Sequence, residues 1–341
     1  MSAIFFKYLL THFRLKTWSL HNMNHIHEQC FVENPTNQSA YSDQSATPHL
    51  GYWNILAASV FWGTTGTAQA FAPAGAQPAV IGAIRMLIGG SALLLLALSL
   101  KAFQNAPPWP KKATFFAACG IACYQPCFFA GVAKTGVAIG TLVTMGSSPV
   151  FAGLLGWLIL GERPGVRWGI ATLFAVLGCG LFIAAGGGTV RLDPLGILAA
   201  LGAGGGYAIY SVCGKETLSH RSAVAGTAVI CGSAALLLLP VLLWGDLHWL
   251  AQPRGMFVAL HLGLIATAMP YLLFARGLLT TPVATAVTLT LAEPLAAGTL
   301  GVLVLRERFT PATLAGTICI LSGLLILFVK KRDKKERVRH V

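Results

Sequence analysis

Residues 148–162 read SPVFAGLLGWLILGE, and residues 293–307 read EPLAAGTLGVLVLRE. The offset is 145 residues: Pro149 falls on Pro294, Gly156 on Gly301, Leu160 on Leu305 and Glu162 on Glu307. At the same offset Phe129 and Ala130 fall on Phe274 and Ala275, and Gly178 falls on Gly323. An apolar element that recurs with its flanking proline and glutamate marks an internal duplication. Its period sets how the rest of the chain divides.

The composition around this repeat is that of a membrane protein. Of 341 residues, 55% are hydrophobic and 10% charged, and the mean hydropathy is +0.69. Soluble globular chains carry about 25% charged residues. The deficit excludes an ordinary cytosolic enzyme, a nucleic-acid-binding domain and a disordered scaffold. Of the net charge of +13, a short tail supplies +5, where residues 330–341 hold seven Lys/Arg and two acids. The remaining cations lie between apolar runs, which makes them a topology signal before a ligand signal.

Apolar stretches run at 52–72, 78–100, 113–133, 136–160, 167–186, 195–214, 222–244, 255–275, 280–305 and 311–329. Each is long enough to cross a hydrocarbon core of ~30 Å, which takes ~20 helical residues. The stretch 195–214 is the least apolar, being glycine-rich and interrupted by Tyr207 and Tyr210. Each repeat therefore holds five spans. Five is odd, so the second unit enters the membrane upside down relative to the first. Inverted repeats of this kind place a substrate site near the midplane of secondary transporters.

The expected fold is an all-α integral membrane protein with ten transmembrane helices arranged as two inverted five-helix repeats. Residues 51–188 form the first repeat and 193–330 the second. A polar arm, 1–50, precedes them and a basic tail, 331–341, follows. With the N-terminus inside, cytosolic segments collect 18 Lys/Arg and external segments 5, so both termini are expected in the cytosol of a cell (inner) membrane protein. Within the arm, Ile4 to Leu20 is interrupted by Lys7, Arg14 and Lys16, unlike a signal peptide. The spacing of His21, His25 and His27 could hold a metal, but no metal and no cofactor is expected.

Charges inside the bilayer are functional candidates, because each costs ~2.5–3.5 kcal/mol on insertion scales. Arg85 lies seven residues into the second span and Glu293 well inside the ninth. At 1.5 Å per residue both sit ~10–12 Å below the outer edge. They are at a common depth and suit either a neutralising ion pair or a cavity that binds charged groups. Glu293 also suits a proton carrier. His261, in the outer half of the eighth span, is a candidate proton carrier or a buried, hydrogen-bonded side chain.

Helix breakers are expected at Pro126, Pro149 and Pro294, since proline removes one N–H and frees a carbonyl that lipid cannot satisfy. Tyr124 and Gln125 precede the first of these and Ser148 the second. Thr141, Thr144 and Thr288 add hydroxyls at similar levels. Trp62, Tyr124, Tyr207 and Tyr210 offer rings for stacking or hydrogen bonding to a small molecule, or for packing alone. Cys119, Cys123 and Cys127 share one face of the third span as small packing residues. Glu162 and Glu307 read as loop anchors, and Thr310-Pro311 as a helix N-cap with proline at the first helical position.

With Trp62-Gly63 in the first span, Arg85 in the second, and Pro149/Glu162 and Pro294/Glu307 once per half, the chain resembles the drug/metabolite transporter superfamily, specifically its EamA-type members. The resemblance covers about 51–330. It implies a secondary transporter that exports a small metabolite, such as an amino acid or amine, by gradient-coupled alternating access. Import or multidrug export on the same fold, and a membrane sensor or intramembrane enzyme, are the alternatives. No Walker motif or catalytic constellation is present, so the chain is not read as an enzyme or as directly ATP-coupled. The expected partners are a small-molecule substrate and the lipid bilayer, with no nucleic acid; the oligomeric state is open.

Overall fold

A computed structural model describes residues 48–104, 108–185, 193–304, 306 and 310–329. The arm histidines, Glu307 and the basic tail lie outside the described residues. The described chain is helical, with no strand among those residues. Its rods are α1 (Pro48–Ala70), α2 (Pro78–Ser99), α3 (Lys111–Gly136), α4 (Ile139–Leu160), α5 (Val166–Ala185), α6 (Pro194–His220), α7 (Ala223–Leu237, extended by Leu239–Leu243), α8 (Pro253–Thr280), α9 (Val283–Leu303) and α10 (Pro311–Phe328). α3 and α4 are parted only at Gly136, where φ is 86° and ψ 160°. That left-handed backbone is accessible to glycine at little cost.

Seven of these rods are both long and apolar enough to span a membrane, and parts of α5 and α7 are shorter apolar helices. α1 falls below that hydropathy because Thr65, Thr67 and Gln69 line an interior cavity. The glycine-rich α6 is a full 27-residue helix. In lipid every backbone N–H and C=O must be satisfied within the segment, and here the glycines are also packing surfaces. A Cβ on Gly206 would lie 2.8 Å from Gly120 O, and one on Gly120 2.6 Å from Gly206 O.

The inversion is written in the packing. A Cβ on Gly178 of α5 would stand 2.7 Å from Gly316 O and 2.8 Å from Ile320 N of α10. A Cβ on Gly323 of α10 would stand 2.6 Å from Ala171 O and 3.0 Å from Ala175 N of α5. Gly178 and Gly323, Ala171 and Gly316, and Ala175 and Ile320 are each 145 residues apart. The two helices are therefore antiparallel and exchange equivalent contacts across a pseudo-two-fold axis. The same holds elsewhere: Gly51 of α1 meets Thr280 of α8, and its repeat counterpart Gly196 of α6 meets Thr135 of α3.

These contacts cross the sequence halves. α1 packs on α8 and α9, and α2 on α8, whereas α6 packs on α3 and α4. The bundle thus holds two interleaved groups, α1/α2/α8/α9 and α3/α4/α6/α7, joined along α2–α7, with α5 and α10 paired beside them.

The prolines behave unequally. The α-helix continues through Pro126 and Pro149, so the breaks expected there are absent from the backbone. Around Pro149 the hydroxyls of Ser147 and Ser148 both donate to Thr144 O (3.3 and 2.7 Å), one carbonyl before Met145 O, which the missing N–H of Pro149 leaves without its helical donor. In α9 the helix does change: Val283–Leu289 is α, Thr290–Ala292 is 3₁₀, and a new α segment starts at Glu293-Pro294. α8 carries an unforeseen π segment, His261–Ala268, just before Met269-Pro270. Pro270 lacks the N–H that would bond Ala266 O, which favours the wider turn.

Thr310 caps α10, its hydroxyl accepting from Thr313 N at 3.2 Å with Pro311 at the first helical position. Thr310→Ala is expected to lower stability by about 1 kcal/mol. A thermal melt in detergent checks this; an unchanged midpoint would mean the cap contributes nothing.

Candidate functional site

Between the two groups lies a cavity of about 680 Å³. It reaches from the level of Tyr271 and Thr290 to the last turn of α1 at Gln69 and Ala70. It therefore extends to the end of the bundle that carries the α1–α2 and α3–α4 connections. Every helix of the two groups except α7 contributes to its wall.

Arg85 of α2 and Glu293 of α9 both line this space. Arg85 has no hydrogen bond or ion pair, and its Nε is buried without a partner. The sole ion pair among the described residues joins Lys215 to Glu162, so Arg85 and Glu293 do not approach within 4.0 Å. The alternative in which they neutralise each other in direct contact is thus not the arrangement found. Two opposite charges instead face one cavity from different walls. Removing charges from water costs several kcal/mol each unless a close partner compensates, and here neither has an ion-pair partner within 4.0 Å.

One more polar atom is orphaned against the same space: Gln125 Nε2 is buried and lacks a partner, while the buried Tyr207 Oη lies beside Thr290. Gln125 is held in place from α2, where Gly82 leaves room for its amide; a Cβ there would lie 3.0 Å from Gln125 Oε1. Ser148 also lines the cavity, with its hydroxyl turned to Thr144 O. Ser148 and Glu293 are repeat counterparts, so the pseudo-two-fold relates a hydroxyl on one wall to a carboxylate on the other.

The cavity rests on aromatic rings. Trp62 stands edge-on to Tyr271 at 5.4 Å and to Tyr207 at 6.4 Å between centroids, and Tyr124 lies 6.0 Å from Tyr207. Phe274 and Tyr210 extend the cluster below. Trp62 and Tyr207 are 145 residues apart, so repeat-equivalent rings meet at the symmetry axis. Such rings offer apolar faces and, in tyrosine, a hydroxyl.

Of the residues singled out from sequence, Arg85, Glu293, Tyr124, Gln125, Ser148, Trp62, Tyr207 and Pro294 all line this cavity. Pro126 and Pro149 do not line it, and neither does His261. His261 Nε2 lies 3.1 Å from Thr64 Oγ1, in a separate apolar groove bounded by Phe71, Arg254 and Phe257. It starts the π segment on the opposite face of α1 from Trp62. Thr288 is also elsewhere, bonded to Trp168 Nε1 (3.0 Å) and Thr172 Oγ1 (2.9 Å) of α5. Tyr271 and Thr290 line the cavity without having been singled out. Tyr271 carried a signal: it stands three residues before Phe274, at the repeat position of Pro126.

A model of the EamA-like transporter family matches this chain twice, over residues 49–184 and 194–329. The chain belongs to the EamA-like transporter family. It is 43% identical over 281 residues to the uncharacterized transporter YwfM of Bacillus subtilis, covering 82% of this chain and 94% of that protein. It is 31% identical over 195 residues to the threonine/homoserine exporter RhtA of Escherichia coli K12, covering 54% of this chain and 62% of RhtA. A solved crystal structure shares the fold with a TM-score of 0.71 at 20% identity, over 82% of this chain and 96% of that one. The EamA assignment makes this chain a multi-pass membrane transporter, and the two matched segments coincide with the two five-helix units.

Proposed function

We propose that this EamA-family protein exports a small zwitterionic metabolite of the amino-acid class, by alternating access and coupled to an ion gradient. One observation carries the reading: Arg85 and Glu293 face a single cavity, unpaired with each other, beside the orphaned donor of Gln125 and the hydroxyl of Tyr207. A carboxylate matches the guanidinium fork of Arg85, and an ammonium group matches Glu293. The rings of Trp62, Tyr124, Tyr207 and Tyr271 suit an uncharged remainder. The name of RhtA, an exporter of threonine and homoserine, agrees in substrate class. In this reading both termini are cytosolic and the cavity is open to the outside. The two interleaved groups are then the bodies that move.

Transport into inverted membrane vesicles tests the proposal, using radiolabelled threonine, homoserine and a panel of other amino acids and amines. Accumulation of one unaltered compound, dependent on the protein, is the expected result. A compound that emerges chemically changed would make the protein an enzyme, and a panel left unmoved would reject this substrate class.

Glu293→Gln keeps the shape and an acceptor oxygen but removes the charge. It is expected to slow uptake of the zwitterion about tenfold or more at matched membrane levels. A rate equal to wild type would take Glu293 out of binding and coupling alike.

A further inference from the structure

At the end of the bundle away from the cavity mouth, Lys215 Nζ of α6 donates to Glu162 Oε1 at 2.6 Å and to Thr281 O at 2.7 Å. The other carboxylate oxygen, Glu162 Oε2, accepts from Val283 N at 2.6 Å. Glu162 follows α4, and Lys215 belongs to α6, so both lie on one packed group. Thr281 and Val283 form the turn between α8 and α9, on the other group. Two charge-assisted hydrogen bonds therefore cross the seam between the groups, from opposite ends of a single ion pair. Both side chains are about four-fifths shielded, at 21% and 23% exposure, where screening by solvent is reduced.

Glu162 is aimed by its own turn. Gly161 adopts φ 71°, and Glu162 N returns to Gly156 O at 3.1 Å, which swings the carboxylate toward the first N–H of α9. The repeat builds the same bend at the other end of the bundle, where Arg306, 145 residues after Gly161, has φ 57°. The cation is not repeated. The position equivalent to Lys215 is Ala70, at the mouth of the cavity. A four-point clasp therefore stands at the shut end, and the open end has no lysine in the equivalent place.

We propose that Lys215 and Glu162 are positioning residues of the transport cycle: their clasp on the α8–α9 turn holds one end of the bundle shut, and it must release before the cavity opens there. The inference rests on the alternating-access reading above. Neither residue touches the cavity, so they act through the balance between the two open states and not through substrate contact.

Hydrogen–deuterium exchange on the full-length protein in lipid nanodiscs tests this at both ends of the bundle. Lys215→Met keeps the length of the side chain and removes the charge. It is expected to speed exchange at residues 281–285 about tenfold and to slow exchange at residues 66–70, where the cavity mouth closes. Lys215→Arg is expected to stay near wild type. Faster exchange at both ends, or none at 281–285, would overturn the proposal, because a pair that only stabilises the fold loosens both ends together. Should Lys215→Met fail to fold, Glu162→Gln gives the same test with its acceptor to Val283 retained. Wild-type protein that transports solute yet never exchanges faster at 281–285 when solute is added would overturn alternating access, and the clasp with it. Wild-type protein that does alternate, with Lys215→Met indistinguishable from it, would overturn the clasp alone.

Discussion

Replacing Arg85 by alanine is expected to reduce transport about 30-fold or more while leaving the melting temperature unchanged or higher. The two halves of that expectation have one cause. The guanidinium has no hydrogen bond or ion pair within the protein, and its Nε is buried without a partner. A hydrogen bond to a charged group contributes about 1.5–3 kcal/mol, so a substrate carboxylate that loses its fork loses one to two orders of magnitude in binding. The fold loses no such contact, and it is relieved of a poorly solvated charge. Had Arg85 been a structural partner of Glu293, the same change would strand the carboxylate and destabilise the protein by about 3–5 kcal/mol. Transport and thermal melting measured on one preparation separate the cases. A large fall in melting temperature with residual transport would return Arg85 to a packing role. Arg85→Lys is expected to be intermediate, since it keeps the charge and loses the bidentate geometry.

Gly178→Leu is expected to prevent the protein from reaching a folded, monodisperse state in detergent. The added Cβ alone would press on backbone atoms of α10, Gly316 O at 2.7 Å and Ile320 N at 2.8 Å. Backbone on both sides leaves no rotamer to yield, so the cost lies at or above the ~1–3 kcal/mol usual for overpacking. The rest of a leucine adds to it. Gly169→Ala is the control on the same helix: nothing lies within 4 Å of its Cβ. Alanine there is expected to be neutral or to stabilise by up to ~1 kcal/mol through helix propensity. Size-exclusion profiles and melts of the two variants check the pair. A well-folded Gly178→Leu would mean that the close approach of α5 and α10 is not needed for assembly.

Much of this architecture was legible because a bilayer simplifies the code. A span needs ~20 apolar residues whatever its partners, so ten runs and their division into fives follow from hydropathy and the 145-residue offset. The depth of Arg85 and Glu293 was legible for the same reason, since rise per residue converts position into height. Azimuth was not. Height alone left contact and separation of the two charges equally open. His261, at a suitable depth, faces a groove on the far side of α1. Pro126 and Pro149 satisfied the rule for breakers, but with helices packed around them α3 and α4 run on unbroken. Lys215 reads in the sequence only as one of the cytosolic cations that set the orientation, because nothing local distinguishes a cation that clasps a neighbouring turn from a topology signal.

By itself, the sequence determined the ten-helix count, the two-fold inverted plan and the family, all of which depend on local composition repeated at a fixed interval. Tertiary structure decided three further things. It interleaved the halves into groups that the chain order does not suggest. It kept Arg85 and Glu293 apart across one cavity. It brought Lys215, Glu162 and the α8–α9 turn together at the closed end. Each depends on which faces of helices pack, and that is settled by close contacts such as Gly120 on Gly206 and Gly178 on Ile320, between residues far apart in the chain. No periodicity within a single span encodes them.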